Sequence, residues 1–329
     1  LAYDKLLIAT GSQPVRPPIP GIDSPGVHPC WTLEDARAIQ KLAKPGARVL
    51  QMGAGFIGCI ILEALASRGV DLTVVEMGNR MVPRMMTEGA GTLIKEWVQS
   101  KGVTVYTDTK VEAITPVQSS GGIVSKIAGI FGGSSTSPLQ VKLSNGKTIE
   151  VDLVISATGV RPNIAYLKDS GIEINTGILV DNKMQTSVPD VYAAGDVTES
   201  IDFSTGKRIV NAIQPNAAEQ ARIAGANMVG GKAESQGTIQ INVLDTLGLI
   251  SSSFGQWWGV EGGDHVELRD AKNFKYMRLE FNGDVLIGAT SCGLTEHVGA
   301  FRGLIQTRVP LGEWKDHLMT TLQKLWMHT

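Results

Sequence analysis

Ala47-Arg48-Val49-Leu50-Gln51-Met52-Gly53-Ala54-Gly55-Phe56-Ile57-Gly58 is the stretch whose reading decides the fold of this 329-residue chain. Residues 47–52 read as a strand and 56–68 as a helix. Asp71-Leu72-Thr73-Val74-Val75-Glu76 reads as a second strand, which completes a βαβ unit and implies a parallel sheet. A G-x-G-x-x-G match alone is weak, but a strand before it and a helix after it make it strong. Gly53 permits the tight turn, Gly55 lets backbone approach a pyrophosphate at the helix N-terminus, and Gly58 lets the helix pack on the strand. Phe56 and Ile57 complete the candidate cofactor-binding loop. Glu76 stands about 20 residues further on, where a carboxylate accepts hydrogen bonds from an adenosine ribose. That carboxylate would repel a 2′-phosphate, so NAD is favoured over NADP. Arg80 and Arg84 follow closely; the alternatives for them are a phosphate contact or, more commonly, solvated surface.

Outward from this unit, Tyr3 to Gly11 reads as a short buried strand ending in a glycine turn, followed by a proline-rich exit through Pro14, Pro17, Pro18 and Pro20. Thr32 and Asp35 have the spacing of a capping box for a helix through about Lys44, stopped by Pro45-Gly46. A helix over Thr87 to Lys101 precedes strands near 103–117 and 139–155, and Asn145-Gly146 signals a two-residue hairpin. The Gly- and Ser-rich insert 119–137 carries Ile127, Ile130 and Phe131, and reads as a flexible hairpin tip or a short partner-contacting helix. From about residue 236 the pattern turns β-rich, with strands around Asn282-Gly283-Asp284 and helices from Glu296 and Leu311, an α+β unit.

Composition narrows the function. Lys plus Arg number 30 against 32 for Asp plus Glu, a balance that offers no field for nucleic acid or an anionic membrane. No apolar run reaches the roughly 20 residues of a membrane span. The three cysteines, Cys30, Cys59 and Cys292, form no CxxC pair and no disulfide framework, which points to a reducing, cytoplasmic setting. With five histidines at scattered positions there is no metal-ligand spacing, so no metal is expected. Trp257-Trp258 reads as buried or interface packing, with the flank of a substrate or partner site as the alternative.

Two Ala-Thr-Gly turns bracket the glycine-rich unit, at Ala9-Thr10-Gly11 and Ala157-Thr158-Gly159, and a strand runs into Ala194-Gly195-Asp196 further on. The ordered set, with Val160-Arg161-Pro162-Asn163 after the second turn, resembles the pyridine-nucleotide disulfide oxidoreductase family of two-dinucleotide-fold flavoproteins. The resemblance implies an α/β fold in three domains: an FAD-binding Rossmann-like domain, carried here only in its second part by 1–30 and 156–235; a Rossmann-like NAD(H)-binding domain, 31–155, inserted in it; and a C-terminal α+β interface domain, 236–329, suited to a homodimer. It implies that Asp196, after Gly195, binds the flavin ribitol, that Thr10 and Gly11 lie beside the FAD adenosine portion, and that Gly159 lies near the bound nicotinamide nucleotide. It implies too that Asn216 and Ala217, in a helix opening at Gln214, fall at the flavin pyrimidine edge, where a positive helix end would stabilise reduced flavin.

The family's function becomes the expected one: hydride passes from NADH to FAD and on to a second acceptor, with electron-transfer proteins among the candidates. The alternative is a redox-sensing or assembly module of the apoptosis-inducing-factor type. No family-type first glycine loop precedes Thr10, so the chain alone is expected to hold FAD weakly or not at all, and to be inactive, with its NAD domain still folded. The C-terminal part lacks the His-Pro dipeptide used by disulfide reductases, having only Glu296-His297, with His297 read as a helix-start or interface residue. Ile60 stands where many members carry a flavin-facing Glu. Both departures argue against disulfide reduction, and no catalytic residue is assigned.

Overall fold

The computed structural model describes residues 2–117 and 137–324. Its centre is the expected parallel sheet, in the order Val27–Pro29, Leu153–Ser156, Arg48–Met52, Asp71–Val75, Thr104–Tyr106. The middle strands are buried on both faces, and apart from Gln51 their buried side chains are apolar because both faces are covered. Helices α1 (Leu33–Leu42), α2 (Phe56–Ala66) and α3 (Glu88–Ser100) bury Ile39, Leu62, Leu65, Leu93 and Ile94 against Val49, Val74 and Ile155. A three-stranded antiparallel sheet, Val111–Pro116, Leu139–Leu143 and Thr148–Val151, buries Ile114 and Val141 against Leu50 and Val154 on the opposite face.

Local chemistry sets the ends of these elements. Thr32 Oγ1 accepts from Asp35 N at 3.1 Å and Asp35 Oδ2 accepts from Thr32 N at 2.8 Å, the reciprocal box expected for α1. The helix stops at Leu42, short of Lys44, because Pro45 disfavours helical backbone in the residue before it. The hairpin at Asn145-Gly146 differs from the expected two-residue turn. Leu143 N donates to Lys147 O and Gly146 N to Leu143 O, which makes a three-residue loop. A two-residue type I′ turn requires positive φ at both central positions, and here Gly146 has it (82°) while Asn145 does not. The insert 119–137 lies outside the described residues save for its last position.

A second body is built on Leu6–Ile8, parallel to Val191–Ala193. This first strand is shorter than the Tyr3 to Gly11 reading. Helix α4 (Gln214–Met228) packs Ile223 and Ala224 into a core with Ile8, Ile178, Val180 and Tyr192. Ser12–Pro14, antiparallel to Val160–Pro162, joins it to the central sheet.

The last body is an antiparallel sheet in the order Ile241–Thr246, Leu249–Gly255, Val285–Cys292, Lys275–Asn282, Asp264–Asp270. Helices α5 (Val298–Thr307) and α6 (Glu313–Lys324) cover one face, with Phe301 and Ile305 against Leu279 and Phe281. The other face joins the core of the parallel unit through Leu244, Leu249, Tyr276 and Cys292. Trp97 Nε1 donates to Thr246 O at 3.0 Å, and the Thr87 hydroxyl meets the Tyr276 phenol at 2.7 Å. No described helix is long and apolar enough to cross a membrane.

Candidate functional site

The strands Arg48–Met52 and Leu153–Ser156 are neighbours whose chain connections lead to opposite sides of the sheet. In open parallel sheets the crevice at such a switch point, beyond the strand C-termini, is where ligands bind. Gly53 and Ala157 follow those two strands directly. Gly53 has φ 95°, and a Cβ on it would sit 2.4 Å from Ala157 O. At Gly58 a Cβ would lie 2.5 Å from Gly53 O, so loop and helix meet too closely for any side chain. Gly55 and Gly159 are different, because nothing lies within 4 Å of a Cβ there and the space above both turns is open.

Among the described residues, the backbone N–H groups of Gly55, Phe56, Ile57 and Gly58 have no acceptor, as the first turn of a helix requires. Four free donors at a positive helix end form an anion site. Glu76 closes it on one side: Oε2 accepts from Ala54 N and Oε1 from Gly78 N, each at 2.8 Å. Val82 N donates to Ala54 O at 2.8 Å, which ties the loop after Glu76 to the glycine turn. Arg80 is half-buried, turned to its own loop and neither free in solvent nor held by the crevice. Its guanidinium is spent on Met86 O, Pro83 O and Asn79 Oδ1, at 2.8–3.1 Å, and it staples its own loop. Arg84 is exposed.

Gln51, on strand Arg48–Met52, is part of this arrangement although the motif does not include it. Its Nε2 donates to Gly53 O and to Gly58 O, both at 2.9 Å. An amide inside an otherwise apolar strand, next to a glycine turn, was the available signal.

A second cluster gathers the other candidates. Ala194 N donates to Ile8 O, which sets the Gly195-Asp196 turn beside the first Ala-Thr-Gly turn. Ser12 Oγ donates to Asp196 Oδ2 at 3.0 Å. Gly195 N donates to Gln220 Oε1 at 2.8 Å, and Thr198 Oγ1 to the same oxygen at 3.0 Å. A Cβ on Gly195 would touch the Ala217 methyl at 3.6 Å, so the start of α4 abuts this turn. Asn216 is brought to the same helix end but turns away, its Nδ2 donating to Ile239 O and Asn211 O. The Thr10 hydroxyl bonds Asn163 O and the Tyr166 phenol, and Gly11 O accepts from Asn163 N, so Thr10 and Gly11 line the strap joining the two clusters. Ser12 and Gln220 act through space from distant parts of the chain, and no motif spacing announces them.

The remaining candidates stand apart. His297 is the left-handed cap residue of α5 (φ 65°), as its helix-start reading implied. Ile60 is half exposed on α2. Trp257 is buried and meets Trp258 edge-on at 5.3 Å. Burial pushes the Cys59 and Cys292 thiols up to about 12, which leaves them poor nucleophiles. No group of described residues has the make-up of a metal site.

Comparison with known proteins agrees with this geometry. The pattern of the pyridine nucleotide-disulphide oxidoreductase family matches residues 1–221. The epsilon subunit of the NADH-dependent phenylglyoxylate dehydrogenase of Aromatoleum evansii is 33% identical over 286 residues, 86% of this chain and 63% of that protein. An NADH oxidase of Methanocaldococcus jannaschii is 36% identical over 235 residues, 70% of this chain and 48% of that protein. The chain thus spans about half to two thirds of these relatives. The solved structure of a NAD-dependent persulfide reductase from A. fulgidus superposes with a TM-score of 0.81 at 30% identity, over 95% of this chain and 58% of that one. A family pattern covering both Ala-Thr-Gly turns, the glycine loop and the Gly-Asp turn leaves one assignment: the chain belongs to the pyridine nucleotide-disulphide oxidoreductase family.

Proposed function

We propose that this chain is the NAD(H)-binding and flavin-contacting part of an NADH-dependent FAD oxidoreductase. The observation that carries the reading is the open, donor-lined helix end at Gly55–Gly58 with the Glu76 carboxylate held beside it. The residues fit a dinucleotide. Unpaired N–H groups suit a pyrophosphate, the space over Gly55 admits it, and Glu76 suits an unphosphorylated ribose. With Arg80 committed to its own loop, no cation there waits for a 2′-phosphate among the described residues, apart from the exposed Arg84.

The second cluster fits the flavin end of FAD. Asp196 has one carboxylate oxygen bonded to Ser12 and offers the other to a polyol hydroxyl, while Gln220 holds the turn on which Asp196 stands. The N-terminus of α4 brings unpaired N–H groups to the same place, with Ile213 as a cap that supplies no side-chain acceptor. When bound, the two cofactors supply transfer of a two-electron equivalent from NADH to flavin and on to a second acceptor. The chain's own part is to hold both in register through the strap Ser12–Pro14/Val160–Pro162.

For the acceptor, an electron-transfer protein or oxygen fits better than a disulfide. The C-terminal part carries no His-Pro acid-base pair, and the apolar Ile60 projects from α2. The sheet from Ile241 to Cys292 with α5 and α6 is proposed as a homodimer interface, and the three unpaired cysteines suit the cytoplasm. The test is anaerobic addition of NADH to the full-length protein, of which this chain is a part, reconstituted with FAD. Bleaching of the flavin band followed by turnover with ferricyanide is expected, and an unchanged spectrum would overturn the reading.

A further inference from the structure

Gln51 is the polar side chain that the nucleotide site leaves unexplained. It is 0% exposed, between Leu50 and Met52, and its Oε1 finds no donor among the described residues. A buried acceptor without a partner destabilises a fold, and an apolar side chain of similar length would remove that penalty. The oxygen end of the side chain therefore does not account for an amide here. The other end of the side chain does.

Where the chain leaves the strand, Gly53 at φ 95° turns its carbonyl inward, under the helix, toward Gly58. Buried there, that oxygen needs a donor. Gln51 Nε2 provides one hydrogen to Gly53 O and one to Gly58 O, and so ties the residue that leaves the strand to the first turn of α2. Between these two fixed points lie Ala54 to Ile57, which carry three of the four free N–H groups, those of Gly55, Phe56 and Ile57. Ala54 is itself held from outside, its N–H by Glu76 and its carbonyl by Val82 N. The loop is thus clamped from the crevice side by Glu76 and from the core side by Gln51. Donors held in place before a ligand arrives bind it without a further ordering cost.

We propose that Gln51 is a positioning residue for the dinucleotide site: it trades an unsatisfied acceptor in the core for a pre-ordered glycine loop. The proposal rests on the reading of Gly53–Gly58 as the NAD(H) loop. A side chain that only filled space would move stability and leave binding alone, whereas a positioning amide moves binding.

The test uses Gln51→Met and Gln51→Leu in the full chain, with three measurements. Unfolding temperature without nucleotide should shift only modestly, because removal of the orphaned oxygen is opposed by the loss of the donor to Gly53 O. The Kd for NADH, from fluorescence titration, should weaken about tenfold, the order expected from one to two ordinary hydrogen bonds. Amide hydrogen exchange without nucleotide should quicken at Gly53, Ala54 and Cys59, whose N–H groups are bonded in the ordered loop. Unchanged Kd and exchange would overturn the proposal. So would a large loss of stability or failure to fold in both variants, which assigns the amide to the fold itself. If the parent protein does not bind NADH, the nucleotide reading falls, and the exchange rates still decide whether Gln51 orders the loop.

Discussion

The Glu76 carboxylate and the Ala54 backbone N–H are 2.8 Å apart, so the acid at the end of one strand is bonded to the glycine turn after its neighbour. Its negative charge is fixed beside the free donors of α2, where a ribose would lie. Replacing Glu76 with Ala removes both the repulsion toward a 2′-phosphate and the anchor on Ala54. NADH binding should weaken several-fold, and the preference for NADH over NADPH should fall by more, about tenfold or greater. Paired titrations of both nucleotides measure the ratio. Equal losses for the two would contradict this account.

Ser12 and Asp196 form a comparable pair in the second cluster, at 3.0 Å. Ser12→Ala leaves Asp196 free to rotate, and FAD affinity should drop by about fivefold to tenfold, the loss of one hydrogen bond that orients a charged acceptor. Asp196→Asn should cost more than Ser12→Ala, and the double variant no more than Asp196→Asn alone. Additive losses would show that Ser12 acts elsewhere.

Thr87 is the cap residue of α3, yet its hydroxyl bonds the Tyr276 phenol at 2.7 Å and makes no capping bond. Burial raises the Tyr276 phenol well above its ordinary value, so this is a neutral hydrogen bond at any working pH. Tyr276→Phe strands the Thr87 hydroxyl in a buried place and should lower unfolding free energy by about 1–2 kcal/mol. Urea denaturation gives the figure. The double variant with Thr87→Val should recover part of the loss, which a purely steric role for the phenol would not allow.

Arg48 grips Asp152 with Nη2 at 2.6 Å and Nε at 3.2 Å, and its own N–H reaches the same carboxylate. The side-chain hydrogen bond from Arg48 holds the Asp152 carboxyl below its ordinary range. A carboxyl depressed in the folded state adds stability above its unfolded value, near 3.9, and loses it as pH falls through the lower folded value. Both side chains are 39% exposed, so the pair contributes about 1 kcal/mol or less. Asp152→Asn should therefore be slightly less stable than the parent at pH 7 and indistinguishable from it near pH 2. A gap that persists in acid would point to packing instead of charge.

What the sequence made legible was whatever repeats at fixed spacing. The βαβ unit, the Thr32 capping box and the order of the turns depend on neighbours in the chain, and glycine, proline and threonine mark them directly. Side chains that act across the fold were not legible. Ser12 meets Asp196, and Gln220 meets Gly195, only because Leu6–Ile8 pairs with Val191–Ala193, a long-range register that no local pattern specifies. The turn at Asn145-Gly146 was read one residue short because the dipeptide favours several hairpin geometries, and the flanking strands choose among them. Arg80 was weighed between ligand and solvent, and the third outcome, a bond to its own loop, depends on how Pro83 and Met86 fold back.

The turn Thr246-Leu247-Gly248 sits between α2 and α3, with Trp97 donating to Thr246 and Leu247 carbonyls and Leu247 N donating to Glu63. Evolution by exchange of modules is constrained at that junction. A C-terminal segment grafted from a relative must bring a turn that fills the Trp97 notch and a phenol that meets Thr87, or the helices beneath the glycine loop lose part of their support. Chimeras that keep Thr246–Gly248 and Tyr276 from one parent should fold where those cut between them do not, which makes residues 249–275 the intolerant place for a crossover.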